Sequence, residues 1–220
     1  ATLGLLAGGL AHDFGNITQS VMAAAILIGK HAEDAARVRE IARHLQRWVG
    51  AERITTIPYG ADRLEALPEA PVRALGLEPG RYATLIARPE PENSVLEAVQ
   101  GWSRRPRGAL LAVRGHYRDV HPYHRAVRAA AGPEVRFLGA IYEPAVVQAL
   151  RLHSRLYVHG HRVGGTNPSL VEALGAGNAV VAHDNAFNRW VAGEAARCFG
   201  SADEAARCFD ELLADPAALQ

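Results

Sequence analysis

A glycine-rich loop that joins an apolar run to a helix start is the stretch of this sequence best suited to bind an anion. The apolar run Leu156 to Val158 predicts the end of a buried strand, and Gly164 and Gly165 lie in the loop that follows it. Thr166 and Asn167 then supply capping groups for a helix whose first turn contains a proline. Because the first backbone N–H groups of a helix are unpaired and its dipole is positive there, this loop can hold a phosphate.

The predicted helix carries one acidic residue, Glu172, about one turn after its start. A carboxylate at that position can accept hydrogen bonds from the hydroxyl groups of a bound ligand, and the alternative is that Glu172 forms a salt bridge on the face of the helix. Two interpretations remain open from the loop alone. It is either a ligand site or an ordinary strand–helix connection whose glycines only permit tight packing.

Strands and helices alternate through the larger part of the sequence, which predicts an α/β fold with a Rossmann-like parallel sheet and helices on both faces. Ligands bind such sheets at the carboxyl ends of the strands, where Arg88 follows one predicted strand and the loop at Gly164 follows another. Apolar runs predict strands at 83–87, 109–113, 135–138, 156–158, 179–182 and 197–199. Helices are predicted at 94–102, 122–131, 144–152, 169–176, 187–191 and 202–213, and a polar connection at 63–80.

The first fifty residues have a different pattern, which predicts a helical hairpin. Apolar residues recur at three- and four-residue steps over residues 3–28, and a second helical run covers residues 33–49. The sequence therefore predicts two domains, 1–50 and 51–220, with a short strand from Ile54 at the start of the second. The apolar stripe of the hairpin is too large to face water, so we expect it to pair with a second copy, as a homodimer, or to dock on the α/β domain.

Composition narrows the classes of protein. The net charge of +1 gives no indication of a nucleic-acid partner. The two cysteines, Cys198 and Cys208, form no metal-ligand pattern and fit a reducing cytoplasm. No apolar run reaches about 18 residues and no basic flank precedes the apolar N-terminus, so neither a membrane span nor a signal peptide is predicted. Four histidines are interpreted as polar loop residues: His116, His159, His161 and His183.

Five segments follow one another in a fixed order between Ile57 and Val191: IPYGAD, LIARPEPENSVLEAV, VRFLGAIYE, GGTNPSLVEALGAG and AHDNAFNRWV. This series resembles the C-terminal, nucleotide-sugar-binding half of the GT-B glycosyltransferases. The similarity is greatest to the bacterial rhamnosyltransferase branch of the large retaining family, and it extends from about Ile41 to the end of the chain.

The resemblance implies a site for a nucleoside diphosphate sugar. Arg88 matches the family's first diphosphate ligand, Asn93 stands where the family has a lysine, and Gly164 replaces the first acid of a paired-glutamate motif whose second member is Glu172. Glu172 would accept bonds from the ribose. The remaining residues of the implied site contribute main-chain groups, to the phosphates from Gly164, Gly165, Thr166 and Asn167 and to the base from Gly139, Ile141 and their neighbours.

The resemblance also implies the setting of the reaction. It predicts an enzyme without cofactor or metal, a nucleotide-sugar donor such as dTDP-rhamnose, and a saccharide or lipid-linked saccharide acceptor in bacterial polysaccharide synthesis. It implies a cytoplasmic location, with peripheral attachment at the inner face of the membrane as a second option.

A second, shorter resemblance concerns the string LAGGLAHDFGN, from Leu6 to Asn16. It is similar to the phosphoacceptor helix of bacterial sensor histidine kinases, with His12 at the phosphorylated position and Gly15 as a departure from the usual asparagine. No ATP-binding pattern follows in residues 50–220, so phosphorylation of His12 would need a separate kinase. The alternative is a solvent-facing or interhelical histidine on an amphipathic helix.

Residues 41–62 match only the last helix and strand of the first GT-B domain, which supplies the acceptor site and most catalytic groups in that family. The sequence is therefore interpreted as a fusion, whether natural, truncated or engineered, in which donor recognition survives better than transfer. Two functions follow. One is a glycosyltransferase or its donor-binding half, and the other is a dimerisation or phosphoacceptor module built on the His12 hairpin.

Overall fold

The computed structural model describes residues 59–163 and 167–214, and these residues form a parallel β-sheet with helices on both faces. They belong to one unit that begins at Tyr59. The predicted hairpin with His12, the strand predicted from Ile54 and the boundary predicted after residue 50 lie outside the described residues.

The sheet of the described residues has six parallel strands. Every residue of the strand Tyr82–Ile86 is buried, because helices cover both faces and the strand consequently has no polar side. The strands are β1 (Tyr82–Ile86), β2 (Leu110–Arg114), β3 (Val135–Gly139), β4 (Leu156–His159), β5 (Ala179–His183) and β6 (Ala196–Phe199).

The strand order is β3-β2-β1-β4-β5-β6. From β1 the chain builds the sheet outward in one direction, and from β4 it builds in the other. The order therefore reverses between β1 and β4, and a crevice for ligands forms at such a point in open α/β sheets. The register across this junction pairs Leu85 with Val158.

Helices form the outer layers. Those on one face meet through Trp102 and Phe209, whose rings pack edge to face with centroids 5.0 Å apart. The helices are α1 (Ala70–Ala74), α2 (Val95–Ser103), α3 (Pro122–Ala129), α4 (Pro144–Leu152), α5 (Pro168–Gly175), α6 (Ala186–Ala192) and α7 (Ala202–Ala214). The core residues place α2, α3 and α7 on the face of Leu85 and Val158, and α1, α4, α5 and α6 on the other.

The predicted α/β fold is confirmed, and the strands and helices predicted between residues 83 and 213 are present with ends shifted by no more than two residues. The prediction of a polar connection over 63–80 was wrong in one place, because this segment contains α1. Five residues are too few to show a helical period. The helix is stabilised instead by the buried side chain of Val72 and by an ion pair of 2.7 Å between Arg73 and Glu69.

Candidate functional site

The carboxyl ends of β1 and β4 lie side by side at the reversal of the strand order. Arg88 lies two residues after the end of β1, and His161 lies two residues after the end of β4. The positive charge of Arg88 acts on the pKa of His161, as expected for close neighbours.

Arg88 is exposed, and its guanidinium has no hydrogen-bond or ion-pair partner among the described residues. Its backbone is held firmly, since the Arg88 carbonyl accepts from the Asn93 side-chain amide at 2.9 Å and from the Glu90 N–H at 2.8 Å. Asn93 is buried. It therefore shapes the loop that presents Arg88, while the prediction that Asn93 itself contacts a ligand stays a prediction.

The loop after β4 is attached to the loop after β1. Gly160 lies against the main chain of Asn93, and the Arg162 N–H donates to the Glu92 carbonyl at 2.9 Å. The Arg162 guanidinium donates to the Ser94 hydroxyl at 2.8 Å and forms an ion pair with Glu97. These contacts make the two loops one continuous rim of the crevice.

Helix α5 begins at this rim with Asn167 as its N-cap. The Asn167 side chain accepts a hydrogen bond of 3.0 Å from the Ser169 N–H, and Pro168 occupies the first turn. The predicted helix start is thus confirmed, and the positive end of the helix dipole lies beside the end of β4. The three other loop residues of the predicted site, Gly164, Gly165 and Thr166, lie outside the described residues.

Glu172 lies on the side of α5 that faces α4, and it has a cation partner that the sequence did not reveal. Its Oε2 atom is 2.5 Å from Nη2 of Arg151, whose side chain is 6% exposed. The same nitrogen donates to the Ser169 hydroxyl, which is 2.6 Å from the Tyr157 hydroxyl. Oε1 of Glu172 has no partner among the described residues, so this carboxylate is oriented and retains one open acceptor.

A cavity of about 420 Å³ adjoins this carboxylate. Its walls come from α4, from α5 and from the segment that precedes α1. It is lined by Gly60, Ala61, Asp62, Leu64, Gln148, Arg151 and Glu172.

The main chain predicted to hold a base, at Gly139 and Ile141, follows β3. The Gly139 carbonyl accepts from the Gly115 N–H at 3.0 Å, and the Ile141 carbonyl accepts from Nε of Arg114 at 2.9 Å. Arg114 also lies over the ring of Tyr142. These bonds fix the loop at the sheet edge, and the prediction that its main chain binds a base stays a prediction.

The interpretation of the four histidines as loop residues was wrong for His159 and His183, which are the last residues of β4 and β5. His159 is the last residue of β4 and is 1% exposed. Its ring stacks on that of His161 with centroids 4.4 Å apart and planes inclined by 11°. Every residue of β4 is buried, and His159 lies on the same face of the strand as Tyr157.

These two imidazoles are held in their neutral forms. Burial lowers the pKa of His159 to about 3, and the neighbouring His161 acts in the same direction. Burial and then the charge of Arg88 lower the pKa of His161, whereas Glu92 raises it. Among the described residues, no hydrogen-bond partner meets either ring nitrogen of His159 or Nδ1 of His161.

Two further properties bear on ligand classes. Within residues 59–163 and 167–214, no group of three or more His, Cys, Asp or Glu side chains could hold a metal ion. In the same part of the chain, no helix has the length and apolar character needed to cross a bilayer.

Comparison with known proteins shows similarity at the level of the fold. No family model and no curated protein matches the sequence. A sucrose-phosphate synthase from Thermosynechococcus elongatus has a TM-score of 0.64 and 20% identity, over 92% of this chain and 54% of that chain. An α,α-trehalose-phosphate synthase from Burkholderia vietnamiensis has a TM-score of 0.59 and 17% identity, over 86% of this chain and 54% of that chain. TarM from S. aureus, in a complex that contains UDP, has a TM-score of 0.61 and 15% identity, over 84% of this chain and 36% of that chain.

The chain therefore spans about half or less of the length of these three structures. They are GT-B glycosyltransferases, and the Rossmann-like α/β fold of the described residues matches theirs.

Proposed function

We propose that the described domain binds a nucleoside diphosphate sugar at the ends of β1 and β4, as the donor-binding half of a GT-B glycosyltransferase. The observation that carries this proposal is the convergence of an unpaired guanidinium, Arg88, and the N-terminus of α5 at the reversal of the strand order. Arg88 offers a forked set of donors that suits phosphate oxygens. The helix N-terminus adds backbone donors and a positive partial charge.

In this proposal, the diphosphate, the ribose and the base of the ligand bind to three different regions of the domain. The diphosphate binds to Arg88 and to the main chain from Gly164 to Asn167, and the ribose hydroxyls donate to the open oxygen of Glu172. The base lies against the loop from Gly139 to Tyr142. That loop follows β3, two strands from β1, so at a strand spacing of about 4.8 Å it lies roughly 10 Å along the sheet edge.

The chemistry of sugar transfer agrees with these residue types. When the bond between the sugar and the diphosphate breaks, negative charge grows on the departing phosphate, and preorganised donors stabilise it. Arg88 and the amides at the start of α5 would supply that stabilisation, so we expect donor binding without a metal ion. The sugar goes to a saccharide or lipid-linked saccharide acceptor, whose site we assign to a second domain.

The finer identity of the donor is part of the same proposal. The motifs favour a dTDP-rhamnose-like donor used in bacterial polysaccharide synthesis, and a UDP-sugar is the second candidate donor, since TarM has been solved with UDP.

We further propose that the predicted N-terminal hairpin pairs two chains as a homodimer. Its test is the mass of the 220-residue chain in solution.

Calorimetric titration of the full chain with dTDP, UDP and their sugar derivatives tests the function. Charge-assisted contacts to phosphate contribute about 1.5–3 kcal/mol each, so Arg88→Ala should weaken binding by about tenfold or more. Arg81→Ala is the matched control, because Arg81 is an exposed arginine just before β1, at the amino ends of the strands and away from the proposed site. Equal loss in both variants, or none in Arg88→Ala, would show that the nucleotide binds elsewhere.

A further inference from the structure

The crevice between β1 and β4 has few cations for a ligand with two linked phosphates. Arg162 borders it, but its guanidinium is engaged by Glu97 and by the Ser94 hydroxyl. Arg88 is thus the cation of this rim that is left open among the described residues. A side chain near it that can take up a proton is His161, on which the charge of Arg88 acts, in the loop that is bonded to the loop of Arg88.

The stacked pair of His159 and His161 leaves three buried ring nitrogens without a hydrogen-bond partner among the described residues: both of His159 and Nδ1 of His161. Buried polar groups in native proteins are nearly always paired, and an unpaired one lowers stability. Three such atoms lie on two stacked rings near an unpaired guanidinium, where a bound ligand could serve as their partner.

The position of the pair is fixed by its backbone. The His161 carbonyl accepts hydrogen bonds of 2.9 Å from the side-chain amides of both Asn185 and Asn188. Gly160, between the two histidines, lies in direct contact with the main chain of Asn93. The rings are therefore held in place before a ligand arrives, and this lowers the entropic cost of binding it.

We propose that His159 and His161 form an imidazole pair that binds the diphosphate of the ligand together with Arg88, with His161 taking up a proton from solvent when the ligand binds. This inference rests on the proposed function and adds a second binding group to the same site. The one bond that forms is the N–H bond of the protonated His161 ring, and its proton comes from solvent. A ring N–H of each histidine gains a phosphate oxygen, directly or through water, as its acceptor.

The charges around His161 give the sign of the effect. Arg88 and Glu92 face it from the loop after β1, Arg162 follows it in its own loop, and the neutral ring of His159 stacks on it. The groups that face it from α6 and the residue before that helix are the neutral amides of Asn188 and Asn185. A bound diphosphate adds negative charge, so it favours the protonated ring, and affinity should fall as pH rises above neutral.

Proton uptake provides the direct test. The parent chain is titrated at pH 7 with UDP-glucose and dTDP-glucose, in two buffers of different ionisation enthalpy. The diphosphate diester of these ligands does not titrate near neutral pH, so proton uptake belongs to the protein. We expect uptake of up to about one proton per site. His161→Gln should abolish the uptake and weaken binding by about tenfold, whereas His116→Gln, an exposed histidine after β2, should change neither.

His159→Leu separates a ligand role from a packing role. A buried imidazole without partners destabilises the free protein, so an apolar side chain of similar size should leave its melting temperature unchanged or raise it. Affinity for inorganic pyrophosphate and for the nucleotide sugar should nevertheless fall. If His159 only fills space, the variant would be at least as stable as the parent but its affinity for both ligands would be unchanged.

The two proposals fail in different ways. If the parent binds the nucleotide without proton uptake and His161→Gln binds as tightly, the imidazole pair is wrong while the nucleotide site stands. If the parent binds no nucleotide, no nucleotide sugar and no pyrophosphate, both are wrong.

Discussion

A Cβ atom added to Gly160 would lie 2.0 Å from the backbone carbonyl oxygen of Asn93. The obstacle is main chain, which cannot rotate away as a side-chain end could, so the loop after β4 and the loop that presents Arg88 are in contact at a point that accepts only glycine.

Gly160→Ala should therefore destabilise the protein and weaken nucleotide binding together. Overpacking of this kind typically costs about 1–3 kcal/mol, which lowers the melting temperature by several degrees, and the displaced rim should reduce affinity. Gly60→Ala is the control for stability alone, because nothing lies within 4 Å of a Cβ atom at that position, while Gly60 lines the cavity beside Glu172. Thermal melts and calorimetry on both variants measure the effect, and an unchanged Gly160→Ala protein would contradict the contact.

Glu172→Gln should distinguish the ribose from the phosphates. The amide keeps the shape and one acceptor oxygen but loses the charge that orients the side chain on Arg151. We expect weaker binding of ribose-containing ligands and nearly unchanged binding of free pyrophosphate, measured by calorimetry. Loss of pyrophosphate binding as well would place Glu172 at the phosphates or indicate a general disturbance of α5.

Arg151 and Glu172 should be energetically coupled. Arg151→Met removes the cation that bridges Glu172 and Ser169, and it leaves the carboxylate unoriented. Chemical denaturation of Arg151→Met, of Glu172→Gln and of the double variant gives the coupling free energy, which for contacting residues is about 0.5–3 kcal/mol. Additive effects of the two substitutions would show that the pair contributes nothing to stability.

The stability of the protein should fall on the acid side through His159. Its pKa is about 3 in the folded protein and about 6.5 in an unfolded chain. Between these values the unfolded state binds one proton more, so the free energy of unfolding falls as pH decreases, by at most about 1.4 kcal/mol per pH unit. His159→Leu should remove this contribution. Denaturation curves give the free energies of unfolding of parent and variant between pH 7 and pH 4, and the difference between the two should change as pH falls. A constant difference would show that His159 contributes nothing to the pH dependence.

The sequence was sufficient for the sheet because β1, β2 and β4 are apolar runs between helical patterns, and burial on both faces makes such runs visible. The order of the strands could not be obtained in the same way. It depends on which edges pair in three dimensions, and no local pattern records that Leu85 lies beside Val158.

The site was predictable only where its residues are local. The cap of α5 follows from Asn167 and Pro168, which are neighbours in sequence. The partner of Glu172 is Arg151, from the preceding helix α4, and no spacing rule joins two helices that are separated by a strand and a loop. The burial of His159 was missed because a polar residue at the end of an apolar run also marks the start of a loop.

The double anchorage of the His161 carbonyl on Asn185 and Asn188 has a consequence for protein engineering. Ligand preference could be changed by exchanging the segment after β4 with that of another protein. This segment is hydrogen-bonded to two other parts of the chain, so its exchange alone would break these bonds. The incoming backbone would need both amides from the α6 region, together with the Glu92 carbonyl that receives the Arg162 N–H. Chimeras should therefore exchange three separate segments at once, since a single-segment graft would leave these donors and acceptors unmatched.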